Sequence, residues 1–344
     1  MLHFDSDYMR GAHPKVLERL IETNLEQTSG YGTDEYTLRT KKLILDACGI
    51  ASGNVWFLVG GTQTNSTVID ALLRHHEGVI AADSSHINSH EAGAIESTGH
   101  KVLTLQNHDG KLQASEIEQL MEDFYSDESR DHCVKPAMVY ISHPTEYGTL
   151  YSLTELSEIS EVCHKFKLPL YLDGARLGYA LASDVNDISL KDVARLCDVF
   201  YIGGTKCGTL FGEAVVTSKP ELLPAFFSLI KQHGALLSKG RLTALQFEAL
   251  FTDNLYERIC RNAILQAMKI KNAFLERGYE LFIDSPTNQQ FFNLPNQTIE
   301  YLKRWATFEQ WGPKGREYTP VRFVTDWGTS DEEIQQLISK LSAI

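Results

Sequence analysis

The sequence predicts an α/β fold: a mostly parallel sheet covered by helices on both faces, joined to a smaller α+β domain toward the C-terminal end. Two observations predict it. From about residue 55 to 216, apolar runs of four to six residues alternate with stretches of helical periodicity. Such runs carry little polar alternation, as strands do when both of their faces are buried. After Pro224 the alternation stops, and a long helical tract leads into short strand-like pieces and a closing helix. A chain of 344 residues with 43% hydrophobic content can support one large core and one small one. The expected division gives residues 18–240 to the large domain, and residues 1–17 with 241–344 to the small one.

The elements follow in order. Pro14 to Thr23 has helical spacing, Tyr31-Gly32-Thr33-Asp34 reads as a turn, and Thr37 to Cys48 places Leu38, Leu43, Ile44 and Ala47 on one helix face. Val55 to Val59 is a strand ended by Gly60-Gly61, and Thr64 to His75 is a helix. Strands follow at Gly78–Ala82, Lys101–Leu105, Ala137–Ser142, Pro169–Leu172, Val199–Ile202 and Gly212–Val216. Helices are expected at Glu91–Thr98, Ser115–Phe124, Thr154–Lys165 and Leu190–Leu196, with a charged excursion over Asp123–Lys135. Arg241 to Arg277 is a helical tract broken near Asp253-Asn254. Strand-like pieces at Tyr279–Ile283, Gln290–Leu294 and Val321–Val324 and a helix over Ser330–Ile344 complete the chain.

Composition narrows the function classes. A net charge of -13, with no basic stripe interleaved with aromatics, disfavours nucleic acid as a partner. No apolar run approaches the roughly 20 residues of a membrane helix, and the first residues are too polar for a signal peptide. The six cysteines form no Cys-x-x-Cys pair, which reads as thiols in a reducing compartment. A soluble, cytoplasmic protein is expected.

Three glycine-broken strand ends carry the chemistry. Tyr171-Leu172-Asp173-Gly174-Ala175-Arg176 delivers a carboxylate, and Gly203-Gly204-Thr205-Lys206-Cys207-Gly208 delivers an amine. In parallel sheets, ligands bind beyond the carboxyl ends of strands. An amine and a carboxylate placed there suit pyridoxal 5'-phosphate: the lysine bonds the cofactor aldehyde and the carboxylate faces the ring nitrogen. Gly60-Gly61-Thr62-Gln63-Thr64-Asn65 lies between a strand and a helix, which fits either a phosphate cup or a plain turn. It is not a Walker loop. Arg176 reads as a grip for a substrate carboxylate or as a rim ion pair, and Thr205 as a phosphate contact.

Other groups converge on the same edge. His86 and His90 are four residues apart, but without His-Glu-x-x-His or an obvious third ligand no metal site is assigned. His86 instead suits stacking on a flat ring. Glu91 reads as a base, a water-orienting group or a helix cap. Glu146 lies in the strand-end loop His143-Pro144-Thr145-Glu146-Tyr147-Gly148, and Arg322, in an otherwise apolar strand, reads as a second carboxylate grip or a solvated face.

Together these motifs resemble the threonine aldolase/β-eliminating lyase branch of the fold-type I pyridoxal-phosphate enzymes, from Phe4-Asp5-Ser6-Asp7 to Val321-Arg322-Phe323. The resemblance implies the aspartate aminotransferase-like fold, with Lys206 as Schiff-base lysine, Asp173 as pyridinium partner and His86 as ring-stacking group. It further implies phosphate contacts from Gly61 and Thr62, and substrate contacts from Ser6, Tyr31, Arg176 and Arg322. Tyr31 matches a turn that lies at a subunit interface in relatives, and Lys239 or Arg241 would reach a neighbour's phosphate in a homo-oligomer, a dimer or tetramer with shared sites. Relatives carry a Thr-His-Asn loop where this chain has Thr145-Glu146-Tyr147. The implied reaction is retro-aldol cleavage of threonine, allo-threonine or a related β-hydroxy-α-amino acid to glycine and an aldehyde. Glu146, His86 or an ordered water would act as base. β-Elimination, racemisation and transamination are the alternatives within the same cofactor chemistry. A noncatalytic binding protein of this fold and a metal hydrolase built on His86 and His90 are the readings outside it.

Overall fold

The structure, a computed structural model, describes residues 1–343; position 344, where the last expected helix was to end, lies outside the described residues. The chain begins with β1 (Leu2–His3), α1 (Pro14–Glu22), α2 (Glu35–Cys48), β2 (Asn54–Leu58) and α3 (Gly61–Leu72). β3 (Glu77–Ala82), α4 (His86–Ser89), β4 (Lys101–Leu105), α5 (Ala114–Ser126), β5 (Lys135–Ser142) and α6 (Leu153–Phe166) follow. Next come β6 (Leu170–Asp173), α7 (Leu177–Leu181), α8 (Leu190–Leu196), β7 (Val199–Gly203) and β8 (Glu213–Thr217). The helices α9 (Phe226–Gln232), α10 (Arg241–Phe251) and α11 (Leu255–Leu275) lead to β9 (Glu280–Ile283) and β10 (Gln289–Pro295). The chain closes with α12 (Asn296–Leu302), β11 (Ala306–Thr307), β12 (Glu309–Gln310), β13 (Tyr318–Val324) and α13 (Asp331–Leu341).

Seven strands form one sheet in the order β2-β8-β7-β6-β5-β3-β4. Pairings from β7 through β4 are parallel, and β8 runs antiparallel to both of its neighbours. Successive residues of a strand point to opposite faces. Val139, Ile141, Leu170, Leu172, Phe200 and Ile202 therefore pack into one core layer. Met138, Tyr140, Tyr171, Val199 and Tyr201 pack into the other, against Val68 and Ile69 of α3. Because both layers are covered, the strands read as unbroken apolar runs.

A second sheet, β12-β13-β10-β9, is antiparallel and packs Phe292 and Phe323 against Phe4, Phe274, Phe308, Ile334 and Leu337. α11 serves both cores. Leu255 to Ile264 pack under the large sheet, while Ile270, Ala273 and Phe274 pack under the small one.

Local chemistry sets the helix ends. The Asp34 side chain accepts from the Thr37 amide at 2.8 Å, and α2 ends at Gly49 with φ 68°. Ser152 with Glu155, and Ser330 with Glu333, form capping boxes at α6 and α13. The break near Asp253-Asn254 is two left-handed residues, φ 51° and 55°, a conformation that Asp and Asn tolerate best among side-chain-bearing residues. The helix expected over Glu91–Thr98 does not form as one piece. Ala92 and Gly93 are left-handed, φ 51° and 75°, and only a single 3-10 turn at Glu96–Thr98 follows.

Candidate active site

The ends of β2, β3, β5, β6 and β7 open toward one edge of the large sheet, the side on which open α/β sheets bind ligands. Two glycines let the β6 and β7 loops touch. A Cβ on Gly174 would lie 1.9 Å from the Tyr201 carbonyl oxygen, and one on Gly203 would lie 2.2 Å from that of Ala175. The Gly203 amide donates to the Gly174 carbonyl at 2.9 Å. This contact sets the Asp173 loop beside the Lys206 loop.

Asp173 is buried and held by four donors. Its Oδ2 accepts from Asn65 Nδ2 at 2.9 Å and from the Tyr140 hydroxyl at 2.6 Å. Its Oδ1 accepts from the Ala175 amide at 2.9 Å and from the Tyr201 hydroxyl at 2.6 Å. Burial, and then the Asp173 charge, hold the Tyr140 and Tyr201 hydroxyls well above the usual phenol range, so both serve as donors. Asn65 is shared. Its Nδ2 also donates to Glu91 Oε1 at 2.8 Å, and its Oδ1 accepts from the Tyr171 hydroxyl at 2.9 Å. Burial pushes the Glu91 carboxyl up to about 7 against the pull of Asn65, and Glu91 Oε2 is buried without a partner.

Lys206 follows β7, and the Tyr179 hydroxyl donates to its carbonyl at 2.6 Å. The Thr205 hydroxyl donates to Glu213 Oε1 at 2.8 Å and accepts from the Gly212 amide at 3.0 Å, so both of its roles are spent inside the β7–β8 hairpin. Glu213 Oε2 accepts from the Gly204 amide at 3.1 Å. Burial lifts the Glu213 carboxyl to about 8, opposed by Thr205, Gly204 and the Lys206 charge.

The two arginines gather near Asp7. Arg176 is buried and forks onto Asp7, Nε to Oδ2 at 2.7 Å and Nη2 to Oδ1 at 3.1 Å. Asn288 Nδ2 donates to the same Asp7 oxygen at 2.9 Å. Burial would raise the Asp7 carboxyl, but the Arg176 and Lys206 charges lower it further than burial lifts it. Arg322 donates to Gln289 Oε1 at 2.7 Å and to Glu309, and lies under Trp311 with Cζ 4.7 Å from the ring centre. Burial and the Arg176 charge lower its pKa, so the two guanidinium groups sense each other. Arg322 Nε and Ser6 Oγ are buried without partners.

His86 opens α4 with its Nδ1 3.4 Å from Glu146 Oε1 and its Nε2 3.9 Å from Glu91 Oε1. Burial would lower the imidazole, but Glu146 raises it. Burial likewise works to raise Glu146, and His86, Arg176 and Lys206 together hold it well below the usual carboxylate range. The sequence offered no third group beside His86 and His90. The fold brings Glu146 there, and ligand atoms of the three lie within 4.8 Å of one another.

Lys206, Asp173, Arg176, Arg322, His86, Glu91 and Glu146 thus lie close enough to act on one another's charges, with Ser6 next to Asp7 in the chain. Tyr31, Lys239 and Arg241 do not join them. The Tyr31 ring lies beside Lys231, and Arg241 donates to the Glu26 carbonyl at 3.0 Å. Tyr31 lines a separate cavity of about 400 Å³ with Leu38, Trp56, Phe227 and Leu237. Sequence reasoning passed over Asp7, Asn65, Glu213 and the three tyrosines. Their one signal is a polar tip at matching positions in otherwise apolar strands: Tyr140, Tyr171 and Tyr201 all fall within two residues of a strand's end.

The residues fit pyridoxal phosphate. α3 begins at Gly61 with no side-chain cap, and its first paired amide is that of Thr64, to the Gly60 carbonyl at 2.9 Å. Its opening amides are therefore available to a phosphate. The fixed Asp173 carboxylate, the Lys206 amine, the His86 ring and the unpartnered Glu91, Ser6 and Arg322 atoms complete a polar cradle.

Comparison with known proteins agrees. The beta-eliminating lyase family model matches residues 3–289. A low specificity L-threonine aldolase of Pseudomonas aeruginosa is 30% identical over 97% of this chain and 95% of its own length. The solved threonine aldolase of Leishmania major is 40% identical, superposes with a TM-score of 0.96, and is covered over 99% of its length by 100% of this chain. N-succinyldiaminopimelate aminotransferase of Mycobacterium tuberculosis, at 16% identity and a TM-score of 0.73, shares the fold. This chain is a member of the beta-eliminating lyase family, a pyridoxal-phosphate-dependent carbon–carbon lyase of the aspartate aminotransferase fold.

Proposed function

We propose that the protein cleaves L-threonine, L-allo-threonine or a related β-hydroxy-α-amino acid into glycine and an aldehyde. The observation that carries this reading is that the Lys206 and Arg176 charges both act on Asp7, Arg176 acts in turn on Arg322, and the Gly174–Gly203 contact sets the Asp173 loop beside that of Lys206. The relatives named threonine aldolases span the full chain and support it. Bound pyridoxal phosphate supplies an electron sink for the pair released when the Cα–Cβ bond breaks.

The chain's own residues do the rest. Lys206 holds the cofactor through its aldehyde, Asp173 faces the ring nitrogen, and the amides of Gly61 and Thr62 take the phosphate. Arg322 Nε and Ser6 Oγ, buried and unpartnered, bind the substrate carboxylate beside Arg176, whose orientation Asp7 fixes. His86 takes the β-hydroxyl proton, and Glu146 stabilises the imidazolium that results. As the aldehyde leaves, Cα exchanges its bond to Cβ for a proton, which balances the one His86 took from the β-hydroxyl, and glycine remains. We further propose that the protein works in the cytoplasm, in keeping with five buried free thiols among six cysteines. It would act as a homo-oligomer, a dimer or tetramer, in which exposed Lys239 or half-buried Arg241 reaches a neighbour's phosphate.

Product identification tests the reading. Cofactor-loaded protein given threonine should release glycine and acetaldehyde in equal amounts. A second reading, racemisation, is favoured by a 24% identity over 92% of the chain to an alanine racemase of Cochliobolus carbonum. Interconversion of alanine enantiomers with no glycine from threonine would select it and sink the aldolase.

A further inference from the structure

Two imidazoles and a carboxylate converge at α4. Its single turn brings His90 back beside His86: the His90 amide donates to the His86 carbonyl at 2.8 Å, and the two rings lie parallel at 5.7 Å and 3°. Glu146 reaches them from the loop after β5, and one ligand atom from each of the three lies within 4.8 Å of the others. His86 Nδ1 and Glu146 Oε1 are 3.4 Å apart, which is the spacing of two ligands each about 2.1 Å from one tetrahedral ion. That nitrogen is buried and makes no hydrogen bond of normal geometry. The wider gap to His90 is one that its exposed side chain can close by turning.

The other ring nitrogens are set for a metal as well. Ser89 Oγ donates to the Ser85 carbonyl at 2.8 Å, so the 2.6 Å contact between Ser89 Oγ and His90 Nδ1 is a donation from the ring. His90 Nε2 therefore keeps its lone pair. His86 Nε2 faces Glu91 Oε1 at 3.9 Å. A histidine that binds a metal through one nitrogen commonly directs the proton of the other at a carboxylate. Glu146 is held ionised by His86, Arg176 and Lys206. Two imidazoles and one carboxylate, with a fourth position open beside exposed His90, are a donor set for zinc, whereas magnesium and calcium require oxygen ligands.

We propose that His86, His90 and Glu146 bind one zinc ion, and that zinc in this place stops the cleavage reaction. The second half rests on the aldolase reading above, in which His86 accepts the β-hydroxyl proton. Without metal, the His86 proton sits on Nδ1, facing Glu146, and Nε2 holds the lone pair that accepts. Zinc replaces the proton at Nδ1, and that proton moves to Nε2. None is released, and no lone pair remains to accept another. The ion lies in the plane of the imidazole and leaves the ring face free, so zinc blocks the proton transfer and leaves the cofactor bound.

Equilibrium dialysis of metal-stripped, cofactor-loaded protein against zinc should show one tightly held ion per chain. His90→Asn, a change at an exposed position, should weaken that binding by about a hundredfold, because even groups that only orient a metal's ligands are worth on the order of ten- to a hundredfold. Zinc should suppress glycine release from threonine in wild type, a chelator should restore it, and magnesium and calcium should leave it unchanged. The zinc concentration that halves turnover should rise about a hundredfold in His90→Asn, and the visible absorption of the bound cofactor should persist throughout. Equal zinc binding by wild type and His90→Asn, as zinc held at exposed Cys133 would give, overturns the site. Zinc held through His90 with turnover unchanged, or with the cofactor absorption lost, overturns the switch. If metal-free wild type frees no glycine, the aldolase reading and the switch fall together, and the dialysis still decides the metal site.

Discussion

Lys206 is the residue whose loss should be least forgiving, because an amine at this place bonds the cofactor covalently. Lys206→Ala should remove the visible absorption of the lysine-bound cofactor and cut multiple turnover by about a thousandfold or more. Retention of that absorption would show that the amine is elsewhere. Glu213 makes a prediction of a different kind. Its carboxyl, ordinarily near 4.5, is lifted to about 8 by burial. The folded protein therefore keeps this proton between pH 4.5 and 8, while the unfolded chain has lost it. Across that window the unfolded state binds fewer protons, so stability falls as pH rises. Burial of Glu91, lifted to about 7, adds a fall of the same sign. For Glu213 the loss is on the order of 3 kcal/mol. Urea titrations of the cofactor-free protein between pH 5 and 8 should show the decline, and Glu213→Gln should flatten it.

At the scale of elements, the site depends on two loops pressed closer than side chains allow. A Cβ on Gly174 would fall 1.9 Å from a backbone oxygen of the neighbouring strand, which has no side-chain freedom to yield. Gly174→Ala should cost about 3 kcal/mol, read from the urea midpoint. It should also weaken cofactor binding, since the same contact sets Asp173 beside Lys206. These loops were the legible part of the site: each glycine-broken strand end could be read as a ligand-facing turn, and the apolar runs gave the strands because both faces of the sheet are covered. The helix expected over Glu91–Thr98 failed because Ala92 takes a left-handed conformation that its residue type does not announce. Partners remote in sequence were equally silent. Nothing near Asp173 tells that Asn65, 108 positions away, will donate to it, or that Trp311 will lie parallel to His90.

The whole molecule is tied together at Asp7. The N-terminal segment runs from the small core, where the Phe4 amide donates to the Thr307 carbonyl and its own carbonyl accepts from the Val324 amide, to the cleft. There Asp7 receives Arg176 from the large sheet and Asn288 from the small one, and all three side chains are buried. One carboxylate thus orients a proposed substrate anchor and joins the two halves of its site. Removing it leaves a buried guanidinium without its counter-charge, a change that costs about 3–5 kcal/mol in such settings. Asp7→Ala should show that loss at pH 7. Because the Arg176 and Lys206 charges depress the Asp7 carboxyl below its ordinary 3.8, its stabilising effect is complete above that value and disappears as pH falls through the depressed one. The gap between wild type and variant in urea unfolding should therefore hold constant from pH 7 down to about 5 and close only in strong acid. A gap already closing at pH 6 would mean that Asp7 is not held ionised by Arg176, and the account of how that arginine is aimed would have to be abandoned.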